Sequence, residues 1–159
     1  MAKKEIKTNA MRMLDQAGIR YIEHSTDSAE GLSGVEVAEL LGEPVDQVFK
    51  TLVTVGKSGE HYVFVIPVSE ELDLKKAAKA VDEKNIEMIK SRELLPLTGY
   101  IHGGCSPIGM KKFFRTTIDE TATLYDTIYV SGGRVGLQVE LNPEDLATII
   151  DFDYFDLTV

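Results

Sequence analysis

Thiols are nearly absent: the 159 residues include one cysteine, Cys105. That excludes an intramolecular disulfide framework and a cysteine-rich zinc module. It also fits a reducing compartment. Long apolar runs are missing as well, since no stretch approaches the roughly 18 residues of a membrane span. The basic start, Met1-Ala2-Lys3-Lys4-Glu5-Ile6-Lys7, leads into no apolar run and does not read as a signal peptide. The expected location is cytoplasmic, with no membrane partner. Positive charge is in deficit. Seventeen Lys and Arg stand against 26 Asp and Glu, a net charge of −9. A chain that coats a duplex should be basic, so DNA and broad nucleic-acid binding are disfavoured.

Enough remains for a folded domain. A hydrophobic fraction of 43% excludes an intrinsically disordered chain. Surface scaling buries roughly 69% of the unfolded surface for a chain of this mass. One domain over 1–159 is expected, with no internal repeat or linker. The charge is uneven. The first 20 residues hold five Lys/Arg and two acids, whereas Gln138–Val159 holds six acids and no Lys/Arg. A local basic face is therefore compatible with the acidic total.

Helical spacing of Met11, Leu14 and Ala17 predicts a helix over Thr8–Ala17, stopped by Gly18. Tyr21–Ser25 reads as a short strand. Ser33-x-x-Glu36 is a capping box before a helix that ends at Gly42. A turn at Pro44–Gln47 leads into the apolar strand Val48–Val55, and Lys57-Ser58-Gly59-Glu60 turns into the strand Tyr62–Val68. Asp73 caps a helix over Leu74–Val81, with Lys75, Lys76 and Lys79 as an exposed stripe. Ile86–Leu97 reads as a short strand and then a short helix capped by Ser91. After the Gly103–Gly109 loop come strands at Phe114–Ile118, Thr127–Val130 and Gly136–Leu141. Asn142-Pro143 opens a helix to about Ile150, and Phe152–Phe155 closes as a strand. The fold class is α/β of the α+β kind, a mixed sheet of about six to seven strands partly closed into a barrel and surrounded by helices.

Several residues bear chemistry. Cys105 lies in Gly103-Gly104-Cys105-Ser106-Pro107-Ile108-Gly109. A catalytic thiol needs a base or cation to lower its pKa, and His102 nearby in sequence does not supply one by itself. The plain reading is a small half-buried loop residue. A metal at His102 and Cys105 would lack a third strong ligand, since His24 and His61 are distant, so no metal and no cofactor are expected. Gly104 and Gly109 have Walker spacing, but Met110 and Lys111 stand where Lys and Ser/Thr are required. A P-loop NTPase is excluded. What survives is a glycine loop whose backbone N–H groups can converge on an oxyanion. Lys50 interrupts the apolar strand. With Phe49 facing the core it points to the opposite face, either lining a pocket or snorkelling at the surface. Glu144 and Asp145 read as first-turn acids, and Asp119-Glu120 as the start of a turn. No serine shares a local triad signature with a histidine.

The ordered combination is more specific. Asp46-Gln47-Val48-Phe49-Lys50-Thr51-Leu52 is followed by Gly99-Tyr100-Ile101-His102-Gly103-Gly104-Cys105-Ser106-Pro107-Ile108-Gly109 and Lys111-Lys112. Then come Ile118-Asp119-Glu120, Ile128-Tyr129-Val130-Ser131-Gly132-Gly133-Arg134 and Gly136-Leu137-Gln138-Val139-Glu140-Leu141. From about Thr8 to Ile150 the chain resembles the YbaK/EbsC family of free-standing Cys-tRNA(Pro) deacylases, related to the editing insertion of bacterial prolyl-tRNA synthetases. The resemblance implies a barrel-like sheet with a pocket at its mouth, and removal of a wrong amino acid from tRNA without a metal.

By the same resemblance, Lys50, Gly103 and Gly104 carry the reaction, and Thr26, Tyr21, Ser106, Ser131 and Gln138 contact the aminoacyl group. Lys111, Lys112 and Arg115 are candidates for contact with the tRNA. Two positions depart from some members. An aromatic pocket residue appears here as Thr26 or has moved to Tyr21, and an acidic position is Gln138. The implied partners are the acceptor end of an aminoacyl-tRNA and prolyl-tRNA synthetase. The rival expectations are a deacylase for alanine or serine, and a non-catalytic adaptor that docks on a synthetase.

Overall fold

A computed structural model describes residues 7–159. The reading of the first six residues lies outside the described residues. The N-terminal helix α1 runs Asn9–Gln16, with Thr8 accepting from Met11 N–H as its cap. Strand β1 is Ile22–Ser25, and α2 is Gly34–Leu40 behind the expected Ser33/Glu36 capping box. The hairpin strands β2 and β3 are Phe49–Gly56 and His61–Pro67. Helix α3, Leu74–Ala80, starts at Asp73, whose carboxylate accepts from the N–H groups of Lys75 and Lys76.

The ambiguous Ile86–Leu97 segment divides as expected into β4, Ile86–Met88, and α4, Ser91–Thr98. Its cap differs from expectation. Lys90 holds the N-cap position without a side-chain bond, and Ser91 is the first helical residue. Then come β5 (Arg115–Asp119), β6 (Ile128–Ser131), β7 (Leu137–Leu141) and β8 (Phe152–Phe155). The segment after Asn142 is a 3-10 turn, Pro143–Thr148, rather than a helix to Ile150. Strand β8 begins at Phe152, which leaves no length for further turns.

The described residues form eight strands, one more than the upper expectation, in two sheets. The five-stranded sheet has the order β4-β2-β3-β5-β8, antiparallel among β4, β2 and β3 and parallel from β3 through β8. The three-stranded sheet, β1-β7-β6, is antiparallel. A parallel bridge from Val48 to Tyr129 joins β2 to β6, so the mixed sheet closes partway.

The core sits between the two sheets. Phe49, Val53, Val63, Val65 and Ile118 meet Ile128, Val130, Leu137, Val139 and Leu141, with Met11 and Leu14 of α1 against them. Strand β3 is buried on both faces, because Tyr62, Phe64 and Ile66 pack on Ala77, Ala78 and Val81 of α3. That explains its unbroken apolar run. Helix α2 seats Ala38 on Val48 and Val68.

Asp119 fastens the end of β5. It is 1% exposed and accepts from Thr121 N–H and hydroxyl with one oxygen. Its other oxygen accepts from Leu157 N–H at 2.9 Å, pinning the C-terminal segment. Asp119→Ala leaves a buried N–H without a partner and is expected to lower stability by about 2–4 kcal/mol. A urea midpoint unchanged from the parent would refute that assignment.

Candidate functional site

Strand alternation sorts the residues of the joined sheets onto two faces. On the three-stranded sheet, Val130, Leu137 and Val139 fill the core, so Tyr129, Ser131, Gln138 and Glu140 point to the opposite face. Gln138 lies across from Ser131 on β6 and from His24 on β1. On β2, Phe49 and Val53 enter the core, which turns Val48, Lys50 and Leu52 outward, as the sequence implied. The isolated Val48–Tyr129 bridge puts the start of β2 beside β6, and alternation turns Lys50 to the same side as Val48. One row across three strands therefore reads Ser131, Gln138, His24.

Two glycine turns close the end of this row. A Cβ on Gly104 would stand 2.9 Å from backbone atoms of Arg134 and Val135, so the 103–109 loop presses its backbone directly on the β6–β7 turn. A Cβ on Gly136 would collide with the Thr26 carbonyl oxygen, and Thr26 N–H donates to Gly136 O. The N-terminus of α1 ties both turns. The Thr8 hydroxyl donates to Gly132 O, and Asn9 Nδ2 donates to Gly109 O at 2.8 Å. Tyr100 completes the tie with its hydroxyl on Ile108 O, 2.6 Å away.

Burial sets the electrostatics. Desolvation lowers the pKa of the half-buried Lys50 ammonium, while Glu71 and Glu70 act against it from a distance. Among the described residues no carboxylate forms an ion pair with it. Cys105 is buried rather than half-buried, and burial pushes its thiol up to about 12. At neutral pH it is a neutral core residue, the opposite of an activated nucleophile. Among the described residues no group of three or more His, Cys, Asp or Glu is placed to hold a metal.

Beside the row sits a polar cluster that sequence reasoning missed. Glu43, just past the end of α2, is 7% exposed. With its amide nitrogen turned toward Glu43, Gln138 donates to both carboxylate oxygens, one at 2.6 Å. Burial pushes the Glu43 carboxyl up to about 7; His24 opposes the rise, Glu140 adds to it, and the Gln138 bond opposes it. His24 Nε2 meets Glu140 at 3.0 Å, and Thr127 donates to the other Glu140 oxygen. In the sequence, Gly42-Glu43-Pro44 looks like a solvated helix stop. No local pattern links Glu43 to Gln138.

The remaining candidates are dispersed. The Tyr21 hydroxyl donates to Asp15 of α1 at 3.1 Å, which turns it away from the row. Ser106 is fully buried and accepts from Ile108 N–H, shaping the glycine loop from within. The Ser131 hydroxyl accepts from Gly133 N–H in the β6–β7 turn. Arg115 reaches the carbonyls of Ala80 and Val81 at the end of α3, at 3.5 and 3.4 Å. Lys111 and Lys112 are exposed and border a separate shallow depression with Met13, Met110, Phe113 and Ile150, which none of the row residues lines.

The half-buried Lys50 and the glycine loop pressed on the β6–β7 turn are accompanied by a buried Cys105 whose thiol is held protonated, not by an activated thiol nucleophile. The profile of the aminoacyl-tRNA editing domain matches residues 30–149. An Enterococcus faecalis protein, provisionally named Cys-tRNA(Pro)/Cys-tRNA(Cys) deacylase EbsC, is 48% identical over 99% of this chain and 98% of its own. The chain belongs to the aminoacyl-tRNA editing family. A solved structure described provisionally as a trans-editing enzyme for prolyl tRNA synthetase superposes with a TM-score of 0.82 at 25% identity, covering 98% of this chain and 99% of that one. The hypothetical protein APE2540 shares the fold, with a TM-score of 0.83 at 21% identity over 96% of this chain and all of that one.

The Glu43 carboxyl makes stability depend on pH. Its folded-state pKa is raised from 4.5 to about 7, so between those values the folded chain holds more protons than the unfolded one. Stability from this group is therefore full below 4.5 and falls as pH rises toward 7. Glu43→Gln removes the buried charge and is expected to be more stable than the parent by about 1–3 kcal/mol at pH 8. The gap should shrink as the pH falls toward 4.5. A constant gap across urea titrations at several pH values would contradict the assignment.

Proposed function

We propose that this chain is a trans-editing deacylase that cleaves the aminoacyl ester of cysteine mischarged onto the proline tRNA, with the cysteine tRNA as a further substrate. The observation that carries the reading is the direct backbone approach of Gly104 to Arg134 and Val135, which supports a backbone cradle in the glycine loop, and the half-buried, desolvated Lys50 adds to it. The near relative's name and the editing family supply the substrate class. Prolyl-tRNA synthetase is the proposed partner, supported by the name of one structural relative.

The chemistry asks little of the protein beyond orientation and charge stabilisation. The ester is activated by the neighbouring ribose hydroxyl. Water can cleave the ester directly, giving free cysteine and tRNA; in the substrate-assisted route for a cysteinyl ester, the substrate thiolate attacks the carbonyl carbon and a carbon–sulfur bond forms. The bond to the ribose oxygen breaks, and that oxygen takes the proton the thiol gave up. The products are a cyclic thioester and free tRNA. Backbone N–H groups around Gly103 and Gly104 hold the developing oxyanion. Lys50 holds the 3′-terminal nucleotide through its phosphate or hydroxyls. Lys111 and Lys112 offer a limited cationic surface, so affinity for tRNA alone is weak and salt-sensitive. A synthetase complex would raise the local concentration.

Incubation with tRNAs mischarged with cysteine, alanine, serine or proline tests the reading. Release of cysteine fastest supports it, and no turnover of any substrate favours an adaptor. A Lys50→Ala variant loses charge-assisted contacts worth about 1.5–3 kcal/mol each, so kcat/KM should fall roughly ten- to a hundredfold. Its stability should stay near the parent's, and Lys50→Arg should rescue poorly, because a planar fork does not replace a point charge. Parental turnover by folded Lys50→Ala would move the pocket elsewhere. Cys105→Ala should keep most activity; a hundredfold loss in a folded variant would make Cys105 the nucleophile. Chelators should leave turnover unchanged, and activity lost with a stoichiometric metal would refute the metal-free chemistry.

A further inference from the structure

The Glu43–Gln138 pair can be satisfied in two ways. A carboxylate accepts hydrogen bonds and cannot donate, so it holds the amide nitrogen of Gln138. A protonated carboxyl donates through its O–H, and the same contact then suits the amide carbonyl oxygen. The two arrangements have one heavy-atom outline and differ by a turn of the amide. Whichever end Glu43 holds, the opposite end is left for another partner on the sheet face that Gln138 shares with Ser131, its cross-strand neighbour.

We propose that Glu43 is a positioning residue: its protonation state sets which end of the Gln138 amide faces the aminoacyl group, and hence whether the site accepts or donates a hydrogen bond there. The inference rests on the deacylase reading for its substrate. An aminoacyl ester carries an α-ammonium group, which has donors and no acceptor. Ionised Glu43 leaves the Gln138 carbonyl oxygen to receive that ammonium. Protonated Glu43 takes the carbonyl oxygen itself and turns the NH2 toward the substrate, donor against donor. Burial places the change near neutrality, with a carboxyl pKa of about 7.

The groups that face Glu43 are known by element. His24 comes from β1, Tyr129 from β6, and Gln138 and Glu140 from β7. Glu140 is held below the usual carboxylate range, first by the Thr127 hydroxyl and then by the His24 bond and charge against a burial penalty. It stays ionised while Glu43 changes state. Tyr129 is pushed up by burial and by both carboxylates, so it stays neutral.

Two measurements test this separately from the deacylase reading. The first follows the side-chain amide resonances of Gln138 by NMR in the free protein from pH 5 to 9. They should titrate near neutrality in the parent, persist in a His24→Asn control, and lose that step in Glu43→Gln. The second is steady-state deacylation of Cys-tRNA(Pro) across the same range, with each variant divided by the parent to cancel titration of the substrate. Glu43→Gln should raise KM about tenfold at pH 8, with a smaller change in kcat, and approach the parent at pH 6. Flat Gln138 resonances, or a Glu43→Gln profile parallel to the parent's, would overturn the inference even with deacylation intact. A parent inactive at every pH would instead refute the deacylase reading, and the amide titration would still decide the switch.

Discussion

The site depends on a backbone-to-backbone contact. Gly104 lies so close to Arg134 and Val135 that any side chain there would collide with main-chain atoms, which cannot rotate away. That contact brings a loop following α4 against the turn between β6 and β7. Lys50 then gains its place indirectly. The β6–β7 hairpin carries Tyr129, Tyr129 bridges Val48, and Val48 fixes which way Lys50 points. Helix α1 adds a second fastening, because its capping Thr8 and its first residue Asn9 bind one turn each. A helix cap thus serves both local structure and the alignment of two loops with long sequence separation.

Much of this arrangement was legible in the sequence because its causes are local. The Ser33/Glu36 capping box, the Asp73 cap and the Asn142-Pro143 start all depend on residues a few positions apart. The outward direction of Lys50 followed from two-residue alternation once Phe49 was assigned to the core. What stayed hidden depends on contacts that no spacing encodes. The 3-10 form of Pro143–Thr148 reflects how soon β8 must begin. Arg115 looks like a free cation in sequence, yet it lies against the carbonyl end of α3, where a positive charge is favourable. Nothing in the local pattern around Glu43, between Gly42 and Pro44, marks it, and only folding brings Gln138 of β7 against it.

Desolvation acts on the site in opposite senses. It disfavours the charged form of Lys50 and of Glu43 alike, lowering one pKa and raising the other. Neither group is neutralised by a strong partner, since Glu70 and Glu71 reach Lys50 only at range and Glu43 is met by an amide rather than a cation. A site built to be structurally quiet would pair these charges with each other or expose them. Here both stay poorly solvated while unliganded, and a charged or strongly polar ligand would relieve each of them.

The same reasoning accounts for an acidic protein acting on a polyanion. An overall charge of −9 opposes wrapping a duplex. It opposes insertion of a single chain end far less, because screening confines the repulsion to about 10 Å at moderate salt. The proposed Lys50 contact falls within that distance, and partial desolvation strengthens any polar contact such a lysine makes. The residues proposed to face the aminoacyl end, Gln138, Ser131 and Thr26, stand at the ends of neighbouring strands. The rigid backbone contact at Gly104 keeps those strand ends in register. A neutral amide at Gln138 has both a donor and an acceptor end, so its orientation can set what it offers, whereas a fixed carboxylate only accepts.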